Sequence, residues 1–301
     1  MKRAVVEAEQ RLACSARGWR LHKSVLSGRR IAVVVPAYDE ARWIANTVRA
    51  MPAFVDLVVV VDDASRDATA ALVEALGLPG VHVVRHADNR GVGAAIVSGY
   101  RRARALGAEV IAVMAGDGQM HPDDLPCVLE PIVRGEADYV KGDRLHHPAV
   151  WSLMPLGRIA GDLVLSWLTR MTAGLPRLSD AQCGFTAIDA DALDALDLDR
   201  LWPRYGYCNE LIARVAAAGL RLGEVVVRPV YRGERSGLRP WHALTYGLVL
   251  GRAGLRRVTA SRRTRPTPPC DRAPPTSPRR SPVRAPASRH ASPDAPPAAP
   301  A

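Results

Sequence analysis

Short runs of β-branched residues alternate with longer helical stretches along the first half of the chain. Four runs have the length and composition of buried strands: Ile31–Val35, Leu57–Val61, Val81–Arg85 and Val110–Met114. Between them, the pattern predicts helices over Asp39–Met51, Arg66–Leu76 and Gly91–Leu106. Strands that are apolar on both faces and separated by helices indicate an α/β fold with a mostly parallel central sheet and helices on both of its faces.

The second half of the chain has a less regular pattern. It predicts a strand at 139–140, a short strand after Phe185 and a further strand over Arg221–Val227. It also predicts helices over Leu156–Met171, Asn209–Ala218 and Trp241–Arg257.

Positive charge is concentrated at the two ends of the chain. The net charge is +11; residues 1–30 and 261–301 each contribute +6, whereas the segment between them carries −1. The second end also holds 12 of the 24 prolines. We therefore predict a basic tail over 1–28, a folded domain over 29–260 and a disordered Pro/Arg-rich tail over 261–301. Because the domain is nearly neutral and lacks a recognition motif, nucleic-acid binding is disfavoured.

The cysteines and the apolar segments bear on the cellular compartment. Five cysteines are widely spaced without a CxxC pair, which favours reduced thiols over a disulfide framework or a zinc site. The first thirty residues contain no apolar stretch of signal-peptide length. No apolar run approaches the roughly 20 residues that a membrane-spanning helix needs. We therefore expect a cytoplasmic protein.

Polar residues directly follow three of the predicted strands. They are Tyr38-Asp39-Glu40 after the first strand, Asp62-Asp63 after the second, and Asp117 with Gln119 after the fourth. Ligands of parallel sheets bind beyond the carboxyl ends of the strands, where these side chains converge. Because adjacent carboxylates repel one another, Asp62 and Asp63 indicate a partner such as a ribose hydroxyl, a nucleobase N–H or a metal ion.

The segment Gly116-Asp117-Gly118-Gln119 offers two hard oxygen ligands. Asp117 and Gln119 suit Mg²⁺ or Mn²⁺, and Gly116 and Gly118 let the backbone approach a ligand closely. A simple turn is the alternative interpretation. The stretch Asn89–Ala95 contains only part of a GxGxxG pattern, and no P-loop sequence occurs, so neither phosphate-binding motif is predicted.

Six motifs together resemble family 2 glycosyltransferases and, within them, the branch of dolichol- or polyprenyl-phosphate sugar synthases. They follow the family's order within residues 31–240: Val35–Glu40, Val61–Ser65, Asn89–Gly93, Gly116–Gln119, Gly142–Arg144 and Asp180–Phe185. The resemblance implies a GT-A fold and an inverting transfer of a hexose from a UDP- or GDP-sugar.

The resemblance also implies which residues bind the donor. The base and ribose are expected at Pro36, Ala37, Tyr38, Glu40 and Asp62, with Asp63 and Gly116 beside them. Contacts to phosphates are expected at Arg144 and in the basic run that contains Arg232, Arg235, Ser236 and Arg239.

The family's metal motif departs here from its usual form. An Asp-x-Asp signature holds the Mg²⁺ or Mn²⁺ ion that bridges the donor diphosphate; its second Asp matches Asp117, and Gln119 matches a further ligand. Ala115 occupies the position of the first Asp, which leaves strict metal dependence open. The same alanine permits an alternative, a pseudoenzyme that binds nucleotide without turnover.

Catalysis is expected to depend on Asp117, Arg144 and Asp180. A lipid phosphate is already an anionic nucleophile, so the favoured acceptor, polyprenyl phosphate, needs no strong base. A hydroxyl acceptor on a polysaccharide or small molecule is the alternative, and it would need Asp180 or Glu210 to take its proton. Asp180 equally suits a brace within its turn, and the helix dipole alone accounts for Glu210.

Two of the predicted helices bear on how the acceptor is reached. In the first, apolar residues recur at helical spacing, which favours an amphipathic helix whose apolar face packs on the core: Leu156, Ile159, Leu163 and Trp167. The last helix ends in Arg252, Arg256 and Arg257 and could lie on an anionic membrane. We therefore expect the protein to be peripheral on the inner face of the cell membrane, with the basic tails adding attraction to anionic lipid.

Overall fold

The computed structural model describes residues 28–231 and 242–263. Residues 1–27 and 264–301, which make up nearly all of the two predicted tails, lie outside this part of the chain. The predicted phosphate-binding residues Arg232, Arg235, Ser236 and Arg239 also lie outside it.

Seven strands form one sheet within the described residues. In chain order they are β1 (Ile31–Ala37), β2 (Leu57–Asp62), β3 (Val81–Arg85), β4 (Val110–Val113), β5 (Tyr139–Asp143), β6 (Thr186–Asp189) and β7 (Leu222–Val226). Their order across the sheet is β3-β2-β1-β4-β6-β5-β7, and β6 is antiparallel to both of its neighbours while the other pairs are parallel. The predicted mostly parallel sheet is confirmed, and β1 to β4 begin where the four apolar runs begin.

Nine α-helices surround this sheet in the described part of the chain. They are α1 (Ile44–Arg49), α2 (Thr69–Glu74), α3 (Val92–Ala105), α4 (Leu125–Val133), α5 (Val150–Leu153), α6 (Leu156–Ala173), α7 (Ala190–Asp194), α8 (Tyr207–Ala217) and α9 (His242–Arg263). Helices α3, α6 and α8 match the predicted helices to within two residues at each end. Helices α1 and α2 are shorter than predicted, because turns precede them: Asp39 and Ala64 have positive φ angles of 56° and 62°.

Helix α4 is missing from the sequence prediction because it contains two prolines. Pro126 lies in the first turn of the helix, where the missing N–H would have no partner in any case. Pro131 lies near the end, and its carbonyl accepts hydrogen bonds from the N–H groups of Glu136 and Ala137 at 2.8 and 3.1 Å. Both prolines are therefore compatible with a short helix.

The sheet has a hydrophobic core on each face. Alternate residues of β1 enter opposite cores, with Ala32 and Val34 in one and Ile31, Val33 and Val35 in the other. Helices α3 and α8 pack on the first core, and α1 and α4 pack on the second. Burial on both faces explains why these strands show no polar alternation.

Helix α6 is amphipathic, but its orientation is opposite to the prediction. Of the four apolar residues that were expected to face the core, only Ile159 is buried. An apolar stripe instead faces solvent, with side chains exposed by 46% to 68%: Leu156, Leu163, Val164, Trp167 and Met171. The prediction was wrong because spacing identifies an apolar face without showing what covers it.

Polar contacts attach the opposite face of α6 to the rest of the domain. Ser166 Oγ accepts a hydrogen bond from the Ala181 N–H at 2.9 Å, and Asn209 Nδ2 donates to Thr169 Oγ1 at 2.6 Å. Asp162 is buried on the same face. Hydrogen bonds and charge therefore hold this helix to the domain together with the buried apolar residues Ile159 and Ala173.

The cysteines agree with the prediction only in part. Cys183 and Cys208 are free and buried, whereas Cys127 is disulfide-bonded. The expectation of reduced thiols is therefore wrong at Cys127. Among the described helices, none is long and apolar enough to span a bilayer.

Candidate active site

The carboxyl ends of β1, β2 and β4 open into a cavity of about 570 Å³. Seven of the predicted site residues line it, namely Pro36, Ala37, Tyr38, Glu40, Asp63, Gly116 and Asp117. They are separated by as many as 81 positions in the chain and meet because parallel strands end at one edge of the sheet.

The first strand-end loop is held in place by the loop that follows β2. Asp39 N–H donates to Ser65 Oγ at 3.0 Å, and Asp39 Oδ1 accepts from the Arg66 N–H at 2.7 Å. Glu40 N–H donates to Thr69 Oγ1 at 2.8 Å. These contacts fix the backbone that presents Tyr38 and Glu40 to the cavity.

The adjacent carboxylates Asp62 and Asp63 have separate sets of partners. Asp62 Oδ1 accepts from the Ser65 N–H at 3.2 Å. Asp63 accepts from the N–H groups of Arg90 and Gly91 at 2.9 and 2.7 Å. Both side chains are buried. Backbone N–H donors relieve the repulsion between the two carboxylates, a role that the sequence alone assigned to a bound partner.

Asp117 and Gln119 lie in one tight turn but border different pockets. Gly118 has a φ of 71°, and Asp117 Oδ1 accepts from the Gln119 N–H at 2.9 Å. Asp117 lines the large cavity, whereas Gln119 lines a neighbouring pocket of about 100 Å³. A Cβ at Gly116 would lie 3.3 Å from Ala37 Cβ, so this turn packs closely against the end of β1.

The donor set suits a divalent ion only in part. Within the described residues, no group of three or more His, Cys, Asp or Glu side chains could hold a metal. Asp117 and Gln119 offer one carboxylate and one amide oxygen, and Mg²⁺ commonly binds through one or two carboxylates together with substrate phosphates and water. By donor type alone, these two residues could hold an ion only if a phosphorylated ligand completed its coordination.

The smaller pocket, called the cationic pocket below, is lined by arginines, and one of them, Arg228, is paired with Asp124, whose Oδ1 lies 2.8 Å from its Nη2. Three arginines line it, Arg144 at the end of β5, Arg158 on α6 and Arg228 after β7. The guanidinium of Arg158 lies 5.0 Å from the centroid of the Tyr231 ring, and its buried Nε has no hydrogen-bond partner in the part of the chain that the structure describes. Carboxylates already pair Arg144 and Arg228, whereas Arg158 has no ion pair among the described residues, so an incoming anionic group would find its uncompensated positive charge at Arg158.

Arg144 is held by carboxylates from two different segments. Its Nε lies 2.8 Å from Asp180 Oδ2, and its Nη2 lies 3.0 Å from Asp162 Oδ2. Burial lowers the pKa of Arg144, but Asp180 more than offsets this effect, so the pKa is well above its ordinary value. Arg144 is therefore a permanent cation in a fixed orientation.

Asp180 has the geometry of a brace. Its side chain has no exposed surface, and its Oδ1 accepts from the N–H groups of Gln182 and Cys183, both at 3.0 Å. Burial raises the pKa of Asp180, but Arg144 more than offsets this effect and the pKa is lowered. A carboxylate that is fully bonded and favours its charged form is a weak proton acceptor.

Glu210 is also fully buried and bonded. It accepts from the Trp202 N–H at 2.9 Å, and its Oε1 lies 2.8 Å from Nη2 of both Arg214 and Arg256. Arg252 approaches the same oxygen at 3.5 Å, and Arg257 Nη1 donates to the Met171 carbonyl at 2.7 Å. The arginines that were expected to face a membrane therefore form ion pairs and hydrogen bonds with groups of the domain itself.

Four residues that line the large cavity were missed by sequence reasoning: Trp202, Arg204, Tyr205 and Thr245. Arg204 is held by Asn89, with Nη1 donating to Asn89 Oδ1 at 3.1 Å. The aromatic and basic cluster before α8 was the available signal. No recognised motif includes it, and only the fold brings it to the cavity.

The chain is similar to known proteins over most of its described length. The family model described as glycosyl transferase family 2 matches residues 32–197. A UDP-N-acetylglucosamine–dolichyl-phosphate N-acetylglucosaminyltransferase from Methanococcus voltae is 30% identical over 68% of this chain and 88% of the relative. An undecaprenyl-phosphate mannosyltransferase from Micrococcus luteus is 33% identical over 67% of this chain and 84% of the relative.

Solved structures show the same fold. The glucosyl-3-phosphoglycerate synthase of Mycobacterium tuberculosis, in complex with Mn²⁺, UDP and glucosyl-3-phosphoglycerate, superposes with a TM-score of 0.59 at 21% identity. The match covers 81% of this chain and 84% of the other. The predicted GT-A fold is confirmed.

Proposed function

This chain belongs to glycosyl transferase family 2, and we propose that it is an inverting enzyme that moves a hexose from a UDP- or GDP-sugar to a polyprenyl phosphate. The observation that carries the proposal is the position of Arg158. It lies in the cationic pocket, yet belongs to helix α6, whose other face is the exposed apolar stripe.

The large cavity is the proposed site of the nucleotide sugar. Its volume suits a ligand of that size, and its lining includes carboxylate oxygens and the aromatic rings of Tyr38, Trp202 and Tyr205. Carboxylates can accept the hydroxyl protons of ribose and sugar, and the rings can pack on the base. Asp62 and Asp63 would shape this site through the backbone that they hold.

The cationic pocket is the proposed site of the acceptor phosphate. Arg158 and Arg228 flank Arg144 there, and Gln119 links the pocket to the Asp117 turn. An acceptor with an anionic head and a long apolar tail could place its head among the arginines and its tail along the apolar stripe. The relatives from Methanococcus voltae and Micrococcus luteus carry names that specify such acceptors.

The state of the two candidate bases supports a phosphate acceptor. Asp180 and Glu210 are both fully buried and bonded to arginines, so neither is placed to take a proton from a hydroxyl. In the proposed reaction, an acceptor phosphate oxygen attacks the anomeric carbon as the bond from that carbon to the donor phosphate breaks. The bonding electrons leave with the nucleoside diphosphate, and attack from the opposite side inverts the anomeric configuration.

A divalent ion is part of the proposal, with Asp117 and Gln119 as the residues that would hold it. Mg²⁺ or Mn²⁺ at this position would neutralise charge that develops on the leaving diphosphate. The Mycobacterium tuberculosis structure contains Mn²⁺ together with UDP. Because Ala115 removes one carboxylate from the motif, we expect weak binding of the ion in the absence of nucleotide.

The apolar stripe supports peripheral attachment to a membrane. An exposed Trp, Met and several aliphatic side chains on one helix face would enter the headgroup boundary, and α5 adds Trp151 and Leu153 with exposures of 68% and 48%. We propose that this surface rests on the cytoplasmic face of the cell membrane, where polyprenyl phosphates are accessible.

The proposal is tested by the release of nucleoside diphosphate from a panel of UDP- and GDP-sugars. The full chain is incubated with Mn²⁺ and with polyprenyl phosphate, the matching polyprenol, or no acceptor. Release that requires the phosphate supports the proposal. Release with the polyprenol or a soluble hydroxyl acceptor would favour the alternative, and nucleotide binding without release would favour a pseudoenzyme.

A further inference from the structure

Asp63 joins three segments beside the large cavity. It follows β2, and its two oxygens bond the N–H groups of Arg90 and Gly91 in the turn before α3. The oxygen that accepts from the Arg90 N–H, Asp63 Oδ1, also lies 2.6 Å from Nδ1 of His86. The side chains of Asp63 and His86 are 4% and 5% exposed, so solvent has little access to this contact.

His86 is oriented from both sides of its ring. Because a carboxylate only accepts hydrogen bonds, Nδ1 carries the proton that is shared with Asp63. Nε2 lies 2.9 Å from Ser98 Oγ on α3, and the backbone N–H of His86 donates to the Asp62 carbonyl at 2.9 Å. The chain Ser98–His86–Asp63 therefore ties α3 and the end of β3 to the carboxylate.

The turn that Asp63 holds sets the position of the opposite cavity wall. Gly91 has a φ of 95°, and a Cβ there would lie 2.6 Å from the Pro203 carbonyl oxygen. Ala94 N–H donates to that same oxygen at 3.1 Å, and Arg204 bonds Asn89. A displaced turn would therefore move Arg204 and its neighbours as well.

We propose that His86 is a positioning residue for donor binding: it orients Asp63, which in turn fixes both walls of the nucleotide cavity. His86 does not line the cavity, so its effect would pass through Asp63 and the backbone of the 89–91 turn. The inference rests on the proposed function, since it concerns affinity for a nucleotide.

Three substitutions at His86 separate positioning from bulk packing. In His86→Asn, the amide nitrogen can occupy nearly the place of Nδ1 and still donate to Asp63. His86→Gln carries its amide further out, toward the place of Nε2, and His86→Phe keeps the volume but has no donor. His82→Phe is the matched control, a half-buried histidine on the same strand, β3.

The test is the dissociation constant of the full chain for UDP and for GDP with Mn²⁺, measured by calorimetry. We expect His86→Phe and His86→Gln to weaken binding by about tenfold, as expected for loss of a hydrogen bond to a charged group. His86→Asn should stay within about threefold of the wild type, and His82→Phe should not change the constant. Unfolding midpoints show which variants are folded. If His86→Phe does not fold, the difference in affinity between His86→Asn and His86→Gln tests the positioning role.

The outcomes separate this inference from the proposed function. If the wild type binds UDP or GDP and His86→Gln binds equally well, the positioning role is wrong and the function stands. Equal losses in the Asn and Gln variants would also overturn it, because they indicate packing alone. If the wild type binds neither nucleotide, the proposed function fails and the positioning role fails with it.

Discussion

Arg144 and Asp162 form a buried ion pair, with 3.0 Å between Nη2 and Oδ2, that joins the end of β5 to helix α6. Asp180 holds the same guanidinium from the other side. The helix that carries the apolar stripe is thus tied by charge to a residue of the cationic pocket. The ion pair between Arg144 and Asp162 thus links the proposed acceptor site to the proposed membrane surface.

Neutral substitutions at Asp162 and at Asp180 should change the stability of the fold by different amounts. Arg144 more than offsets burial at Asp180 and lowers its pKa, whereas burial dominates at Asp162 and raises its pKa above the ordinary 3.8. We expect Asp180→Asn to cost about 3 kcal/mol of unfolding free energy at pH 7, since it leaves a buried cation less compensated. Asp162→Asn should cost less than about 1 kcal/mol, because the fold already disfavours its charged form.

The pH dependence of these variants follows from the signs of the pKa shifts. The stability that ionised Asp180 contributes is present above pH 3.8, its ordinary pKa, and is lost as the pH falls through its lowered value. The difference between wild type and Asp180→Asn should therefore be constant from pH 7 to 5 and shrink at pH 3. Urea unfolding at the three pH values measures it, and a difference that grows at pH 3 would contradict the assignment.

Gly93 and Gly161 offer a matched pair of glycine-to-alanine substitutions in helices. A Cβ at Gly93 would lie 2.3 Å from the Trp202 carbonyl oxygen, whereas nothing lies within 4 Å of a Cβ at Gly161. Gly93→Ala should lower the free energy of unfolding by about 1 to 3 kcal/mol, because the added Cβ would push the Trp202 backbone away from the helix. Gly161→Ala should stabilise by up to about 1 kcal/mol. Thermal unfolding compares the two, and similar effects would argue against this packing.

Asp117 is predicted to be essential for turnover but not for folding. Asp117→Ala should lower the rate of sugar transfer by about a thousandfold, the scale expected for loss of stabilisation of the leaving group, with the unfolding midpoint little changed. Glu136→Ala, at an exposed carboxylate in the turn after α4, is the control and should keep the wild-type rate. A fully active Asp117→Ala variant would remove Asp117 from the proposed mechanism.

Ala115→Asp should strengthen metal binding. Ala115 lines the cavity beside Asp117, and an added carboxylate would restore the ligand that the family motif has at this position. We expect at least tenfold tighter Mn²⁺ binding, consistent with about 1.4 kcal/mol for one further charged ligand. Titration of Mn²⁺ followed by electron paramagnetic resonance measures the change, and unchanged affinity would place the metal elsewhere.

The apolar stripe is predicted to carry membrane attachment. Co-sedimentation of the full chain with anionic vesicles should fall several-fold in the double variant Leu163→Ser, Trp167→Ser, because each buried apolar side chain contributes about 1.5 to 3 kcal/mol. Leu78→Ser is the control, a leucine exposed by 40% in the loop after α2. Equal losses in both variants would indicate general destabilisation and not a docking surface.

The centre of the sheet could be predicted because β1, β2 and β4 are buried on both faces. A run such as Leu57–Val61 has no other stable place in a soluble domain, and its start coincides with that of β2. Residues directly after such strands, including Tyr38 and Asp117, then reach the cavity through topology alone. This is why seven of the residues that line the cavity could be predicted before the fold was known.

The remaining features depend on contacts between distant segments. The exposure of Trp167 results from Asp162, Ser166 and Thr169 bonding to other parts of the domain, and spacing within α6 carries no trace of these partners. Arg204 reaches the cavity only because Gly91 and Gly93 allow the 202–204 backbone to approach α3. Sequence patterns report local periodicity, and these positions are decided by tertiary structure.

The most direct test of the account is the fate of a radiolabelled hexose. The full chain is incubated with labelled UDP- or GDP-hexose, Mn²⁺ and vesicles containing polyprenyl phosphate, and the label is followed into the organic phase. We predict that at least one donor yields a labelled lipid when polyprenyl phosphate is present and none when polyprenol replaces it. Label that stays in the aqueous phase for every donor, or that enters the lipid equally with polyprenol, would contradict transfer to a lipid phosphate.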